Sequence, residues 1–479
     1  MAWLNIILVA LHLALALFSA GHALLNKRDP RAAFGWIAIC LTFPLAGPFI
    51  YFIFGVNRIA TKAHELHGRK FFSLPPGSER PHFEPQFLLD EYNLPEDYVV
   101  PARISNAVTG YPLARGNLVL PLFNGEEAYP EMLKAIDAAC ERVYLSTYIF
   151  ESDKTGRTFI DALAGAKARG VDVRVLIDGV GEWYSLPRSG PRLKKEGVSF
   201  FRYLPPALFP PFLHINLRNH RKLLVADSKV AFTGGMNIRD RHCIEGKSEK
   251  TGIADLHFKL TGSIVNQLEE VFLKDWDFAS EGKSTPCAPF NYKKDPGNAV
   301  CRTILDGPDE DIDKLTMILI GSISSARKKI SIVTPYFLPP RELIGALQSA
   351  ALRGVHVTLI LPAQNNQKIV HWAMRNMLWE LVQWGVHVYY QPPPFAHAKL
   401  FLADDHYLQI GTANLDARSL RLNFELMVEV YDKGLSKKMN DYLEERRSVS
   451  KKVSLHELDG RSLPARFRDS LCWLFTPYL

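Results

Sequence analysis

The sequence predicts an α/β protein that contains two copies of one domain behind an N-terminal helical hairpin. Three observations lead to this prediction. Two uncharged apolar runs occupy the first sixty residues, strand and helix patterns alternate beyond residue 117, and one order of elements with one residue motif occurs twice. Such alternation is typical of layered α/β folds with a mixed or parallel sheet.

The apolar runs predict two membrane helices within residues 1–57. Residues 2–25 form the first run and residues 34–54 the second, and neither contains Asp, Glu, Lys or Arg. At a rise of about 1.5 Å per residue, such runs are long enough for a hydrocarbon core of about 30 Å. We expect Pro44 and Pro48 to kink the second run, as membrane helices tolerate. A cleaved signal peptide is disfavoured because no basic residue precedes the first run.

Basic residues beside the runs predict the orientation of the chain. They lie between the runs, at Lys27, Arg28 and Arg31, and after the second run, at Arg58, Lys62, Arg69 and Lys70. By the positive-inside rule, we expect the domains after the hairpin to lie in the cytoplasm. Six scattered cysteines without a CxxC pair agree with this, because they indicate reduced thiols and not a disulfide framework.

Beyond the hairpin, the chain is predicted to form a linker and two domain copies. Residues 58–116 are Pro-rich and irregular, which is typical of a linker or cap. The two copies then span residues 117–300 and 301–479. The segment ARGVDVRVLI in the first copy matches LRGVHVTLI in the second closely, as expected for a repeat.

Each copy contains a predicted strand, helix and strand in the same order. In the first copy, residues 143–150 have a strand pattern, residues 158–170 have helical spacing and end on a glycine, and residues 171–178 have a strand pattern. The same three elements follow in the second copy, at residues 329–337, 341–354 and 355–362. This shared order supports the duplication of one α/β domain.

One motif of recurring residue types is present in each copy. The first copy has it at His220, Lys222, Asp227, Gly234, Gly235 and Asn237, and the second at His397, Lys399, Asp404, Gly411, Thr412 and Asn414. The two histidines are 177 residues apart (397 − 220), and the His, Lys, Asp, Gly and Asn positions recur at identical offsets. Two such matches in corresponding halves of a repeat indicate a functional site.

Strand geometry predicts how the motif residues are arranged. The segments HRKLLVAD and HAKLFLAD have strand patterns, so each His and the Lys two positions later project from the same face. Each Asp then lies on the opposite face at the start of a predicted turn, and we expect it to order that turn. The returning strand should bring the glycines and Asn beside the His, where small residues allow backbone N–H groups to approach an anion.

These side chains suit the exchange of a phosphodiester. Such a reaction needs a nucleophile, an acid for the leaving oxygen and positive charge around the phosphoryl group. An imidazole titrates at about pH 6.5, so one His can attack while the other donates a proton. Because one His cannot do both in a single step, the two copies are predicted to share one site. The lysines would supply the positive charge and Asn hydrogen bonds, and neither a metal nor a cofactor is required.

Two other features of the sequence bear on what the protein binds, namely a group of possible zinc ligands and the net charge. A zinc site built from His214, His220, His242 and Cys243 is disfavoured, because no spacing resembles HExxH or paired CxxC. The net charge of +7 suits an anionic partner, either phospholipid headgroups or nucleic acid.

Two further features each have two interpretations. Aromatic residues at matched strand ends are expected either to line a cleft or to pack in the core, and these are Tyr148, Phe150, Tyr336 and Phe337. Residues 463–479 mix basic and aromatic residues, as an interfacial membrane segment or a helix packed on the second copy would.

The doubled His-x-Lys-x4-Asp motif and its trailing Gly and Asn residues resemble the phospholipase D superfamily. Along nearly its whole length, the chain is similar to the bacterial cardiolipin synthases within that superfamily. The segments that carry this resemblance are WIAICLTFPLAGPFIYFIFGVNR, GNLVLPLFNGEEAY, HRKLLVADSKVAFTGGMNI and GTANLDARSLRLNFELMVEV.

The resemblance implies two tandem phospholipase D-like domains with a pseudo-two-fold axis through a shared site. It implies a transfer between two phosphatidylglycerol molecules at the bacterial inner membrane, which gives cardiolipin and glycerol through a phosphohistidine. It carries over six catalytic residues, namely His220, Lys222, Asp227, His397, Lys399 and Asp404. The nucleophile of the family is the first-copy histidine, here His220.

The resemblance also implies a set of residues around the substrate. These residues are Gly234, Gly235, Asn237, Gly411, Thr412, Asn414, Asp255 and Glu425. In the family pattern, an acidic residue after each motif orients a histidine, and Asp255 and Glu425 hold those positions. Thr412 stands where serine is more usual and keeps the hydroxyl.

Three other functions stay open at this point. A phospholipase D that hydrolyses phospholipid differs only in using water as the acceptor, which the motif residues do not encode. A membrane-tethered nuclease would use the basic charge, but a membrane hairpin is an odd addition for DNA, so no nucleic-acid partner is predicted. A non-catalytic protein that kept the fold is disfavoured because both motifs are complete.

Overall fold

The computed structural model describes residues 2–27, 30–55, 92, 94–206, 217–281, 296–308 and 313–476. The chain divides into an N-terminal helical unit and an α/β unit that contains both motif copies.

The N-terminal unit is a set of apolar helices. Its elements are α1 (Ala2–Asn26), α2 (Pro30–Thr42), α3 (Ala46–Ile50) and a π-helical turn at Tyr51–Gly55. Small side chains let these helices approach closely, since Ala20, Ala23 and Cys40 form a buried cluster with Tyr51. The Tyr51 hydroxyl lies 2.8 Å from His22 Nδ1 and connects the π-helical turn with α1.

The second apolar run does not form one continuous helix. It is divided between α2 and α3 by a bend at residues 43–45, because Pro44 has no N–H with which to continue the helical hydrogen bonds. Among the described residues, only α1 is long and apolar enough to cross a membrane, with a mean hydropathy of 1.5 over Val9–Asn26. The expected kink at Pro44 is therefore a full break, and the second predicted span is two shorter helices.

Part of the predicted linker is helical. Residues Val99–Val108 form helix α4, whose Val99 and Ala102 belong to the apolar core of the second copy. The Ser105 hydroxyl donates to Glu429 Oε2 at 2.7 Å. The segment SLPPGSERPHFEPQF lies outside the described residues.

The α/β unit contains corresponding elements in its two halves. The first half consists of β1 (Ala114–Phe123), α5 (Asn124–Ala138), β2 (Arg142–Thr147), α6 (Lys154–Ala168), β3 (Asp172–Asp178), α7 (Ser189–Lys195), β4 (Ser199–Tyr203), β5 (Arg218–Asn219), β6 (Leu223–Ala226), β7 (Val230–Gly234), β8 (Ile253–Ala254), β9 (Leu256–Thr261) and α8 (Ile264–Ala279). The second half consists of β10 (Ala299–Asp306), α9 (Lys314–Ser325), β11 (Lys329–Val333), β12 (Phe337–Leu338), α10 (Arg341–Leu352), β13 (His356–Pro362), α11 (Lys368–Gln383), β14 (His387–Gln391), β15 (Phe395–Ala396), β16 (Leu400–Ala403), β17 (Tyr407–Gly411), β18 (Leu415–Asp416), β19 (Asn423–Tyr431), α12 (Lys433–Ser448), β20 (Lys451–Lys452), α13 (Leu455–Asp459) and α14 (Leu463–Leu474).

Most strands of the α/β unit join one mixed sheet, as the sequence predicts. Its order is β20-β14-β13-β11-β16-β17-β19-β10-β1-β9-β7-β6-β2-β3-β4, and β5 pairs with β19 beside this path. From β14 to β4, each strand has its counterpart at the mirrored position. The two halves are therefore related by a pseudo-two-fold axis between the antiparallel strands β1 and β10.

Each half has its own apolar core between the sheet and its helices. In the first half, Phe159, Ile160 and Leu163 on one face of α6 pack with valines of β2 and β3. Their spacing of one, three and four residues gives α6 an apolar stripe that faces the sheet. Asp153 accepts a hydrogen bond from the Gly156 N–H at 2.9 Å and caps the start of α6.

Candidate active site

Each motif histidine follows a two-residue strand that pairs with the other half of the molecule. Strand β5 lies parallel to β19, and the His220 N–H donates to the Phe424 carbonyl at 3.0 Å. Strand β15 lies parallel to β8, and the His397 N–H donates to the Ala254 carbonyl at 2.8 Å. The backbone of each histidine is therefore held by the opposite copy.

The opposite copy also orients the imidazole ring of each histidine. His220 Nδ1 lies 3.0 Å from both carboxylate oxygens of Glu425, which belongs to the second copy. His397 Nδ1 lies 2.7 Å from Asp255 Oδ2, which belongs to the first copy. A buried carboxylate beside Nδ1 keeps the proton on that nitrogen and leaves Nε2 as the basic nitrogen.

The two carboxylates have different supports. Thr412 Oγ1 donates to Glu425 Oε2 at 2.6 Å, and Asn423 Nδ2 donates to Oε1 at 3.2 Å. At the corresponding position, Gly235 leaves space, since a Cβ there would lie 2.2 Å from Asp255 Oδ1. In the second copy, Thr412 therefore supports its carboxylate with a hydrogen bond. In the first copy, the Asp255 carboxylate lies so close to Gly235 that a side chain there would clash with it.

His242 also belongs to the Asp255 side of the site. Its Nε2 accepts a hydrogen bond from the Asn237 N–H at 3.2 Å, so a neutral His242 carries its proton on Nδ1. That Nδ1 lies 3.7 Å from Asp255 Oδ2, the oxygen that contacts His397. The sequence pattern suggested His242 only as a zinc ligand. Its position five residues after Asn237 is the sequence feature that could have indicated a place in this site.

Both motif lysines are buried beside the histidines. Lys222 Nζ donates to the His220 carbonyl at 2.7 Å, and Lys399 Nζ to the His397 carbonyl at 2.6 Å. Lys399 Nζ also lies 3.1 Å from His397 Nε2. Burial lowers the pKa of Lys222 to about 7 and that of Lys399 to about 8, although Glu425 and Asp255 oppose the shift. Two desolvated ammonium groups make this a site for an anion.

The charges of the two motif copies act on one another, since the lysines of both copies shift the pKa of each motif histidine. Burial lowers the pKa of His220 to about 4, against the opposing effect of Glu425, and Lys222 and Lys399 lower it further. Burial also lowers the pKa of His397 far below its ordinary value, and Lys399, Lys222 and His220 add to the effect. Both imidazoles are therefore neutral in the free protein at pH 7. An anion between them would raise both pKa values, because its charge favours the imidazolium form.

Asp227 and Asp404 lie at turns and bind backbone. The Asp227 carboxylate accepts from the N–H groups of residues 140–142 at 2.8–3.0 Å, and Asp404 accepts from residues 327–329 at 2.7–3.0 Å. Both have positive φ angles, of 51° and 53°. The structure thus places them where the turn prediction does, and their contacts are with the backbone of a neighbouring strand. The catalytic role that the resemblance carries over to them stays a prediction.

The glycines of the motif allow close packing of strands. Gly234 and Gly411 have φ angles of 151° and 152°, and a Cβ would lie 2.6 Å from the Leu256 carbonyl and 2.2 Å from the Leu426 carbonyl, respectively. The N–H groups of Gly235 and Thr412 donate to these same carbonyls at 3.0 and 2.9 Å. These two N–H groups are therefore used within the sheet, which corrects the expectation that they would face an anion.

The two motif asparagines support neighbouring loops. Asn237 Oδ1 accepts from the Ile149 N–H at 3.0 Å, and Asn414 Nδ2 lies 3.3 Å from Ser419 Oγ. Asn414 Oδ1 is buried without a hydrogen-bond partner among the described residues. Contact of either asparagine with substrate stays a prediction.

The four aromatic residues at strand ends divide into two roles. Phe150 and Phe337 are fully buried in the cores. Tyr148 packs edge-on against His220, with ring centroids 5.3 Å apart, and Lys222 Nζ lies 5.7 Å from its ring centroid. Tyr336 contacts Phe395, whose ring lies 5.8 Å from that of His397. Tyr148 thus contacts His220 directly, whereas Tyr336 reaches His397 only through Phe395.

Two regions of the chain, residues 132–276 and 319–447, match the family model described as cardiolipin synthase, PLD-like domain. The chain belongs to this family of phospholipase D-like enzymes. One matched region lies in each half and contains one motif copy. Residues 14–55 match a second model, described as the phospholipase D-nuclease N-terminal segment.

Curated relatives extend the match to nearly the full chain. The cardiolipin synthase of Clostridium perfringens (strain SM101 / Type A) is 31% identical over 464 residues, which are 95% of this chain and 96% of that protein. The major cardiolipin synthase of Bacillus subtilis (strain 168) is 29% identical, with 95% of each chain covered.

A solved structure supports the fold. The phosphatidylserine synthase of Haemophilus influenzae Rd KW20 superposes with a TM-score of 0.59 at 18% identity, covering 79% of this chain and 100% of its own. At this identity the likeness shows the fold alone.

Proposed function

We propose that this chain is a membrane-bound cardiolipin synthase that transfers a phosphatidyl group from one phosphatidylglycerol to another and releases glycerol. One observation carries the proposal: each histidine is oriented by the carboxylate of the opposite half, so that both lie in one buried, lysine-lined site. The half 117–300 would contribute the nucleophile and the half 301–479 the proton-transfer group. Relatives called cardiolipin synthase along 95% of the chain support the choice of substrate.

The first step makes a covalent intermediate. Neutral His220 attacks phosphorus through Nε2, a P–N bond forms, and the P–O bond to glycerol breaks. Protonated His397, whose pKa the bound phosphodiester has raised, gives its Nε2 proton to the departing oxygen. Glu425 stabilises the positive charge that develops on His220, while Lys222 and Lys399 balance the charge of the phosphoryl oxygens.

The second step returns the enzyme to its starting state. The hydroxyl of a second phosphatidylglycerol gives its proton to neutral His397, and its oxygen attacks phosphorus. The P–N bond breaks and the electron pair returns to His220 Nε2. Because a phosphodiester is broken and another is made, the reaction is close to thermoneutral, and water must be kept from the intermediate while the acceptor enters.

Product analysis with phosphatidylglycerol as the sole lipid tests this function. We expect purified enzyme to release cardiolipin and glycerol in equal amounts, without a nucleotide. Added glycerol should inhibit the reaction and drive the breakdown of supplied cardiolipin. Phosphatidic acid as the dominant product would mean that water is the acceptor, and a hydrolytic phospholipase D would replace the present proposal.

We further propose that the N-terminal unit anchors the enzyme as a multi-pass protein, with the α/β unit in the cytoplasm. The length and hydropathy of α1 support one membrane crossing, and the shorter apolar helices α2 and α3 would together make the second. The basic residues after the second apolar run support the cytoplasmic side for the α/β unit. In intact bacteria, a cysteine introduced at exposed Lys451 should resist a membrane-impermeant thiol reagent until the cells are opened. Labelling in intact cells would place the α/β unit outside.

A further inference from the structure

The last helix of the α/β unit, α14, has a charged residue on its buried side. Among the described residues of α14, Asp469 is the one buried side chain. Arg461 and Arg468 each donate to its carboxylate at 2.6 Å, and Arg375 of α11 lies 3.7 Å from it. The buried carboxylate thus lies in a cluster of arginines, one of which, Arg375, belongs to α11.

Neighbouring contacts fix the rotation of α14 about its axis. The Arg468 guanidinium stacks 4.3 Å from the ring centroid of Trp372. Ser470 Oγ donates to Asn376 Oδ1 at 3.0 Å. If α14 turned about its axis, Asp469 would leave Arg375 and Arg461, and Arg468 would leave Trp372, so these contacts define the face that α14 presents outward.

The outward face of α14 is apolar. Leu463, Phe467, Leu471 and Leu474 are 77%, 73%, 46% and 64% exposed. Their spacing of four, four and three residues places them in one stripe, which a helix of a soluble protein normally turns toward the core. Here the stripe faces away from the core while a carboxylate faces inward. A continuous exposed apolar stripe of this kind marks an interaction surface.

The residues around the stripe favour a lipid surface as its partner. Exposed Arg466 lies on one flank, and Trp473 and Phe475 lie at the C-terminal end. Leucine and phenylalanine on one face, with arginine and tryptophan beside them, are typical of helices that lie in a membrane interface and contact anionic headgroups. The phosphatidylglycerol substrate and the apolar helix α1 both bring a bilayer within reach of this chain.

We propose that α14 is an interfacial membrane-docking helix, with Leu463, Phe467, Leu471 and Leu474 inserted at the boundary between headgroups and acyl chains. The inference rests on the proposed function, since lipid substrate is what requires the α/β unit to meet the bilayer. Its effect is to hold that unit at the surface, where phosphatidylglycerol is concentrated.

The depth of α14 can be measured on the full-length enzyme in phosphatidylglycerol vesicles. A nitroxide label at position 471 should be accessible to oxygen and shielded from an aqueous nickel complex. A label at Met317, which is half-exposed on α9, is the matched control and should be accessible to nickel. Equal nickel accessibility at both positions would overturn the proposal.

Activity gives a second readout with the variant Phe467→Gln/Leu471→Gln, and Met317→Gln as its control. We expect kcat/KM on vesicles to fall at least about tenfold in the double variant, with activity in detergent micelles unchanged. Equal activity of the double variant and the wild-type enzyme on vesicles would overturn the proposal. It would also be overturned if the double variant were monomeric where the wild-type enzyme is dimeric and the label at position 471 were accessible to nickel, because the stripe would then be an interface between copies. Failure of the proposed function is distinguishable, because even the wild-type enzyme would then make no cardiolipin in micelles.

Discussion

His220 and His397 take their orientation from carboxylates of opposite halves, and neither half contains a complete set of reacting groups. We therefore expect His220→Ala and His397→Ala each to reduce kcat by at least about a hundredfold, because an acid and a nucleophile are both needed in each turnover. His356→Ala, at an exposed strand position, is the control and should have wild-type activity. A variant of either motif histidine with more than about a tenth of wild-type kcat would contradict the shared site.

The buried lysines predict the alkaline limb of the pH profile. Burial lowers the pKa of Lys222 to about 7 and that of Lys399 to about 8. As pH rises through these values, the free enzyme loses positive charge that the phosphoryl group needs, so kcat/KM should fall. In the profile of kcat the same limb should lie at higher pH, because a bound phosphodiester favours the charged ammonium form. A kcat/KM that stays constant to pH 10 would contradict this role.

At the scale of elements, the motif aspartates connect a turn with the start of a neighbouring strand. Asp227 links the turn after β6 to the three N–H groups before and within β2, and Asp404 does the same for β16 and β11. Burial would raise the pKa of Asp227, but these N–H groups hold it below its ordinary value.

Asp227→Asn and Asp404→Asn should therefore act on stability more than on chemistry. We expect each to lower the free energy of unfolding by about 1–3 kcal/mol, since charge-assisted hydrogen bonds are lost. Each should keep more activity than the histidine variants, with Asp405→Asn as an exposed control on the neighbouring residue. Denaturant unfolding and kcat on the same samples make the comparison. A folded Asn variant as inactive as His220→Ala would restore these residues to the catalytic set.

The sequence predicted individual elements better than contacts between them. The turn at Asp227 follows from the local pattern and was found as predicted. The predicted strand over residues 220–227 was only partly right, because β6 covers Leu223–Ala226 and both His220 and Lys222 lie in the connection between β5 and β6. The crossed pairing of β5 with β19 could not be predicted, because a two-residue strand has no pattern of its own. For the same reason the sequence assigned Asp255 and Glu425 to orienting a histidine without revealing that each serves the other copy.

Other differences arise from a local break in a helix or from contacts that only the fold creates. Apolar composition predicted a second span, but Pro44 divides it into α2 and α3. A Pro-rich composition predicted an irregular linker, but Val99 and Ala102 pack into the core of the second half as part of a helix. His242 carried no motif, and its relation to Asp255 follows only from the fold.

For the whole molecule, the division into two units predicts the effect of removing the N-terminal unit. Both motif copies, and the contacts of the site among the described residues, lie beyond residue 57, so a chain lacking residues 1–57 should fold in detergent. It should act on detergent-dispersed lipid and lose efficiency on bilayers, while α14 keeps part of it on vesicles. Circular dichroism, micelle activity and vesicle flotation measure these three properties. A truncated chain that fails to fold in detergent would show that the hairpin belongs to the core.

The central claim is that one site shared by both halves transfers the phosphatidyl group through a phosphohistidine. The stereochemical course at phosphorus tests it most directly. Each in-line displacement inverts the configuration, so two successive displacements restore it. With phosphatidylglycerol made chiral at phosphorus by sulfur substitution, the account predicts cardiolipin in which the transferred phosphorus retains its configuration. Inversion would show a single direct transfer between the two lipids and would contradict the covalent mechanism.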